Sequence, residues 1–175
     1  MRAAAGPDMV TNLTVSRPVS TWGILVAQNH PRIRLRALCV FRRGDAILVA
    51  FALDPRTGGR YARTLGGGVD FGETSEQALR REIREELGAE IANPRLLGVL
   101  ENIFTIDDNE RHEIVFVYDA EFADARWESC VEIAVNEAAC VTPARWVPIA
   151  SLGDEGIPVY PRDLISLLAT SRHRA

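Results

Sequence analysis

The stretch Leu65-Gly66-Gly67-Gly68-Val69-Asp70-Phe71-Gly72-Glu73 runs directly into Thr74-Ser75-Glu76-Gln77-Ala78-Leu79-Arg80-Arg81-Glu82-Ile83-Arg84-Glu85-Glu86-Leu87-Gly88. The first half reads as a glycine-rich loop. The second is the clearest helix of the chain. Thr74 followed by Gln77 is a capping-box start, in which a hydroxyl and an amide each satisfy an otherwise unpaired backbone N–H. Gly88 is a fitting stop, because glycine takes the left-handed backbone that ends helices. Leu79, Ile83 and Leu87 recur every four residues and form one apolar stripe.

The same helix carries Glu82, Glu85 and Glu86, spaced i, i+3 and i+4, so the three carboxylates share one face beside the stripe. Taken alone they read as a solvated face, with Arg80, Arg81 and Arg84 as ion-pair partners. The preceding glycines change that reading. Bare backbone approaches a ligand closely. A hard divalent cation takes one or two carboxylates with oxygens from backbone, water and substrate phosphate. The loop is not a P-loop, since no Gly-Lys-Ser/Thr follows it. It is not a dinucleotide fingerprint either, since its glycines are consecutive.

Upstream, Ile33 and Leu35 alternate with arginines before the apolar run Ala37 to Phe41, and Ala46 to Leu53 follows a turn at Arg43-Gly44-Asp45, which predicts a hairpin. Asp54 to Arg60 reads as a loop. Downstream, Arg95 to Ile106, Ile114 to Ala120 and Arg145 to Ile149 read as strands, with a turn at Asp107-Asp108-Asn109-Glu110. Pro161 opens a final helix with Leu164, Ile165, Leu167 and Leu168 inward. Strands and helices do not alternate regularly, so the expectation is an α/β fold with a mixed or antiparallel sheet. Residues 1–30 read as an extension with one apolar patch, Trp22 to Ala27, ahead of a single domain over 31–175. A dimer-forming arm has no specific support there, and a homodimer is left open.

Of 175 residues, 47% are hydrophobic and 25% charged, which excludes a disordered chain. The longest apolar run, Ala46 to Leu53, is far short of the roughly 20 residues of a membrane span. The net charge of −4 argues against coating extended nucleic acid. All 20 basic residues are arginine, a guanidinium stock that suits phosphate and equally a GC-rich genome. Cys39, Cys130 and Cys140 have no metal-ligand spacing and suit a reducing compartment, so a cytoplasmic location is expected.

Gly67, Glu73, Arg81, Glu82, Ile83, Glu85, Glu86 and Gly88 sit at the spacing of the Nudix box, G-x5-E-x7-R-E-U-x-E-E-x-G-U, and the chain resembles that family over about residues 32–170. Two departures are visible. Ala89 is small where a bulky apolar residue is usual, and Leu65-Gly66-Gly67-Gly68 lacks the proline of the common Leu-Pro-Gly-Gly. The resemblance implies an α/β/α sandwich around a mixed sheet. It also implies hydrolysis of a nucleoside diphosphate linked to another moiety, with Mg²⁺ or Mn²⁺. By position, Glu85 and Glu86 are the implied principal metal ligands. Glu82 is a third ligand or a base acting through water, and a carbonyl of Gly66 or Gly67 completes the set. Arg81 holds the carboxylates in place, with Glu73 as its structural partner.

The general base is expected from the loop of roughly Trp127 to Pro143. Glu137 is the first choice, with Glu128, Glu132 and Glu113 as alternatives. Arg56, Arg60 and Arg63 are candidates for terminal phosphates. Phe51, Tyr61, Phe71 and Phe104 are candidates for base stacking, with core packing the alternative for Phe51 and Phe104. Three rival readings are a nucleotide sensor without turnover, an isoprenyl diphosphate isomerase and an RNA-decapping role. The sensor class usually loses box carboxylates, all present here. The isomerase class needs a catalytic Cys, and only Cys39, in an apolar run, lies upstream of the box.

Overall fold

The computed structural model describes residues 32–53, 58–106, 109–137, 140–153 and 157–171. The extension over 1–30, Arg56 and the turn residues Asp107 and Asp108 lie outside them. Strand β1 (Ile33–Val40), the short β2 (Arg42–Arg43) and β3 (Ala46–Leu53) come first, but the expected hairpin is not formed by the long strands: only β2 folds back on β3, while β1 and β3 lie in different sheets. The turn between β2 and β3 uses Gly44 at a positive φ of 61°. β4 (Arg60–Arg63) and β5 (Leu65–Gly68) precede helix α1 (Ser75–Leu87). β6 (Ile91–Ile106) and β7 (Asn109–Phe122) pair antiparallel along their lengths. β8 (Glu132–Glu137), β9 (Cys140–Pro148), β10 (Val159–Tyr160) and α2 (Leu164–Ser171) complete the order.

One sheet runs β5-β1-β7-β6 and the other β10-β4-β3-β9-β8. The first is mixed, because β1 lies parallel to β7 and antiparallel to β5. The α/β class expected from the sequence is the class observed. The unbroken apolar run of β1 has a simple cause. Ala37 and Cys39 pack on the α1 side, against Leu79, Ile83 and Leu87. Leu38 and Val40 pack on the opposite side, with Leu164 and Leu168 of α2. A strand covered on both faces has no solvent side to pattern. Each buried leucine, isoleucine and valine among them contributes about 1.5–3 kcal/mol.

Both ends of α1 are as read. Thr74 Oγ1 accepts from Gln77 N at 3.2 Å, and Gln77 Oε1 accepts from Thr74 N at 2.8 Å. Gly88 closes the helix at φ 68°, its N–H donating to Arg84 O at 2.8 Å. Ser75 Oγ and Tyr118 Oη share a 2.7 Å hydrogen bond that ties the first turn to β7.

Two further regions differ from the sequence reading. Leu65 to Gly68 is strand β5 rather than loop, laid antiparallel on β1 with Leu38 opposite Gly66 and Ala37 opposite Gly67. The loop expected over Trp127 to Pro143 holds most of a 3-10 turn (Ala125–Ser129) and the strand β8, which pairs with β9. Among the described residues no helix is long and apolar enough to cross a membrane.

Candidate functional site

The packing of α1 on β5 explains why glycines stand there. Gly66 has φ +119°, and a Cβ on it would overlap the Ala37 carbonyl of β1. A Cβ on Gly67 would occupy the space of the Glu82 carboxylate. The strand thus carries no side chains where the acidic face of the helix approaches it.

The three carboxylates have different surroundings. Glu86 is buried, with 5% exposure, rather than lying on a solvated face. Its Oε2 accepts from Gly66 N at 2.9 Å, and its Oε1 lies 3.9 Å from Arg63 Nη1. The Asn136 amide of β8 donates to the Glu86 backbone carbonyl at 3.4 Å. The side chain of Glu82 is 18% exposed and that of Glu85 60%. Arg81 Nη1 donates to Glu82 Oε1 at 2.8 Å and to Glu85 Oε2 at 3.3 Å.

Arg81 is the hub of the site. Its Nε and Nη2 donate to the two oxygens of Glu73, both at 2.8 Å, and Nη2 also reaches Gly68 O at 2.9 Å. The two-pronged pairing ties the turn before the helix to Arg81, and the Gly68 contact ties Arg81 to β5. The Arg81 hydrogen bonds, helped by the Asp70 backbone N–H, hold the Glu73 carboxyl down to about 2. Glu73 and then Glu82 in turn raise the Arg81 pKa still higher, so it stays charged.

Among the described residues no three His, Cys, Asp or Glu side chains converge as a ready-made metal site. The reason lies in the hydrogen bonds above: Glu82 and Glu85 are turned to Arg81, and Glu86 to Gly66 and Arg63. The donor set nevertheless suits a hard cation. Glu82 and Glu86 meet the side-chain-free backbone at Gly67 and Gly66, Glu85 is on the same helix, and oxygen is what Mg²⁺ and Mn²⁺ bind.

The candidate phosphate-binding arginines are not brought together. Arg60 and Arg63 are three apart on β4, an odd spacing that sets them on opposite faces. Arg60 lies over the Phe51 ring at 5.0 Å, and Phe51 packs against the α2-side core. Arg63 lies beside Glu86. Phe71 is fully exposed in the turn before α1. Glu137 ends β8, opposite Cys140, and its side chain is outside the described residues. Glu113 is on β7, with Asn102 of β6 and Arg34 of β1 as its cross-strand neighbours.

The sequence reading passed over Tyr160 and Asn102. Tyr160 is the register partner of Arg63, on a two-residue strand too short to show periodicity. Asn102 is buried within the run Leu100-Glu101-Asn102-Ile103-Phe104.

The family model described as NUDIX domain matches residues 32–168. An NAD-capped RNA hydrolase NudC of Haemophilus influenzae is 38% identical over 112 residues, covering 58% of this chain and 41% of that protein. The chain spans about two fifths or less of the length of the curated relatives it matches. A MutT NUDIX hydrolase from Burkholderia pseudomallei is similar in structure at a TM-score of 0.59 and 27% identity, over 78% of this chain and 97% of that one. A NUDIX hydrolase from Nitrosomonas europaea shares the fold at a TM-score of 0.60 and 17% identity, over 82% and 90% of the two chains.

Proposed function

This chain belongs to the NUDIX domain family, and on that premise we propose that it hydrolyses a phosphoanhydride bond in a nucleoside diphosphate linked to another moiety, with a divalent cation, Mg²⁺ or Mn²⁺. The observation that carries the reading is the buried Glu86 carboxylate held against the Gly66 N–H. Beside it, Glu82 occupies space that only a glycine at 67 leaves open. A plain surface helix needs neither feature.

Glu82, Glu85, Glu86 and the Gly67 carbonyl would hold the cation. When bound, it neutralises charge on the diphosphate oxygens and acidifies water. Arg81 positions Glu82 and Glu85 through the hydrogen bonds that now tie them. Arg63, beside Glu86, is the guanidinium assigned to the substrate's phosphate oxygens. Glu137 is assigned the proton of the attacking water, and phosphorus is attacked in line with the leaving phosphoryl group. Arg60 has no part in this arrangement, since it lies on the other face of β4.

The test is hydrolysis of a panel of nucleoside triphosphates, ADP-ribose, dinucleoside polyphosphates, NAD and NAD-capped RNA, with Mg²⁺ or with chelator, and products identified by mass. Chelator-sensitive cleavage between two phosphorus atoms supports the reading. No cleavage of any of these, with tight binding of one, would replace it with a nucleotide sensor.

A further inference from the structure

Helix α1 covers only part of the face it packs on. Ala37 and Cys39 of β1 lie buried beneath it, whereas Ile33 and Leu35, earlier on the same side of the strand, are exposed. The pairing register carries that face across the sheet. Ile33 aligns with His112 and Ile103, Leu35 with Ile114 and Glu101, and Ala37 with Phe116 and Val99. Residues directly opposite in register share a face. Leu96 joins it further along β6, opposite Tyr118. Ile33, Leu35, Leu96, Val99 and Ile103 are each between 45% and 60% exposed, and Ile114 and Phe116 among them are half-buried.

The opposite face of the same strands holds the polar residues at this end. Arg34, Glu113 and Asn102 fill one row there, and Arg36 begins the next. A half-solvated sheet ordinarily alternates the other way, apolar towards the core and polar towards water. Here the apolar positions are the exposed ones, so the sequence writes an inner face where these residues meet solvent. Five aliphatic residues about half exposed present on the order of 500 Å² of apolar surface, near the top of what the largest patch of a monomer shows.

We infer that this β1-β7-β6 face is the contact between two copies of the chain, laid sheet on sheet about a two-fold axis. Two such patches together bury on the order of 1,000 Å², the least that a specific interface needs. A two-fold contact sets a surface against itself, so an unanswered charge there would repel its own image. Among the described residues of the three rows the acid is Glu101, and it is answered within the patch: His112 Nε2 lies 2.8 Å from Glu101 Oε1. The face can therefore meet its own copy. A lipid surface would call for basic side chains beside the apolar ones. The arginines of β1, Arg34 and Arg36, and Arg111 of β7 lie on the other face instead.

The experiment is sedimentation velocity on the full chain without substrate, loaded from about 1 to 200 µM, because an interface near the lower size limit gives a micromolar constant. The mass should rise with concentration from one chain to two. Ile33→Glu and Ile103→Glu sit on different strands at exposed positions, where a substitution alters stability little. Each sets a charge against its own copy and should raise the dissociation constant about tenfold or more. Val131→Glu, at an exposed position before β8 and outside this sheet, should dimerise like the parent. Melting curves check that each variant is folded. No substrate enters the measurement, so its result is independent of the hydrolase reading. A chain that stays monomeric at the highest loading, a dimer that survives both Ile33→Glu and Ile103→Glu, or a dimer weakened as much by Val131→Glu would overturn the inference.

Discussion

Alanine at Gly66 and alanine at Gly67 add the same single methyl to adjacent residues, yet the structure predicts different outcomes. At Gly66 the backbone has φ +119°, a region that costs a residue with a side chain about 1–3 kcal/mol. The new Cβ also meets the Ala37 carbonyl, a backbone atom of the paired strand that cannot rotate away. Overpacking of that kind adds about 1–3 kcal/mol. The sum, roughly 2–6 kcal/mol, is a large share of a total stability of about 5–15 kcal/mol. At roughly 2–4 °C per kcal/mol, Gly66→Ala should lower the melting temperature by about 4–24 °C. At Gly67 the obstacle is the Glu82 carboxylate, the end of a flexible side chain. Displacing it costs about 0.5–1.5 kcal/mol, a few degrees at most, but moves a proposed metal ligand. Thermal and urea melts, run with a turnover assay, separate the two effects. A Gly66→Ala protein that melts within a few degrees of the parent, or a Gly67→Ala protein as damaged in stability as Gly66→Ala, would refute the reasoning.

Three further outcomes follow from local geometry. Thr74→Ala removes the hydroxyl that accepts from Gln77 N and should cost about 1 kcal/mol in urea unfolding, whereas Thr74→Ser should cost far less. Glu73 titrates near 2 in the folded chain rather than at the ordinary 4.5, chiefly because Arg81 bonds it. Its contribution to stability is therefore full above about 4.5 and is lost as pH falls towards 2. A carbon-detected NMR titration should show that midpoint rising in Arg81→Met, and an unmoved midpoint would discredit the assignment. Glu137→Gln should lower kcat by roughly a hundredfold or more while Mn²⁺ affinity is kept, and unchanged turnover would move the base to another residue.

The helix and its caps were legible in the sequence because their causes are local. Thr74, Gln77 and Gly88 act within one turn of the residues they satisfy. β5 was not legible, because Gly66-Gly67-Gly68 offers no side chains to show a period of two. Its identity depends on β1 beside it and on α1 packed over it. The burial of Glu86 was hidden for a related reason. Its neighbour Arg63 is 23 residues away, on a strand that only the folded sheet brings to the helix. Arg60 and Arg63 read as one basic cluster as long as their segment was taken for a loop, and as two opposite faces once it is a strand. The Nudix box named the family from eight positions, whereas the meeting of Tyr160 and Phe104 belongs to no pattern and needed the tertiary contacts.

The central claim is that the α1 carboxylates carry the hydrolysis, and Glu86→Gln tests it most directly. The substituted amide can still accept from the Gly66 N–H, so the fold should persist and be checked by its melting curve. The measurement is the Mg²⁺-dependent turnover of whichever pyrophosphate substrate the parent cleaves, compared between the two proteins. The account predicts a folded Glu86→Gln protein whose kcat is lower on the order of a hundredfold or more. A folded variant that turns over at the parental rate, with its metal dependence unchanged, would contradict it.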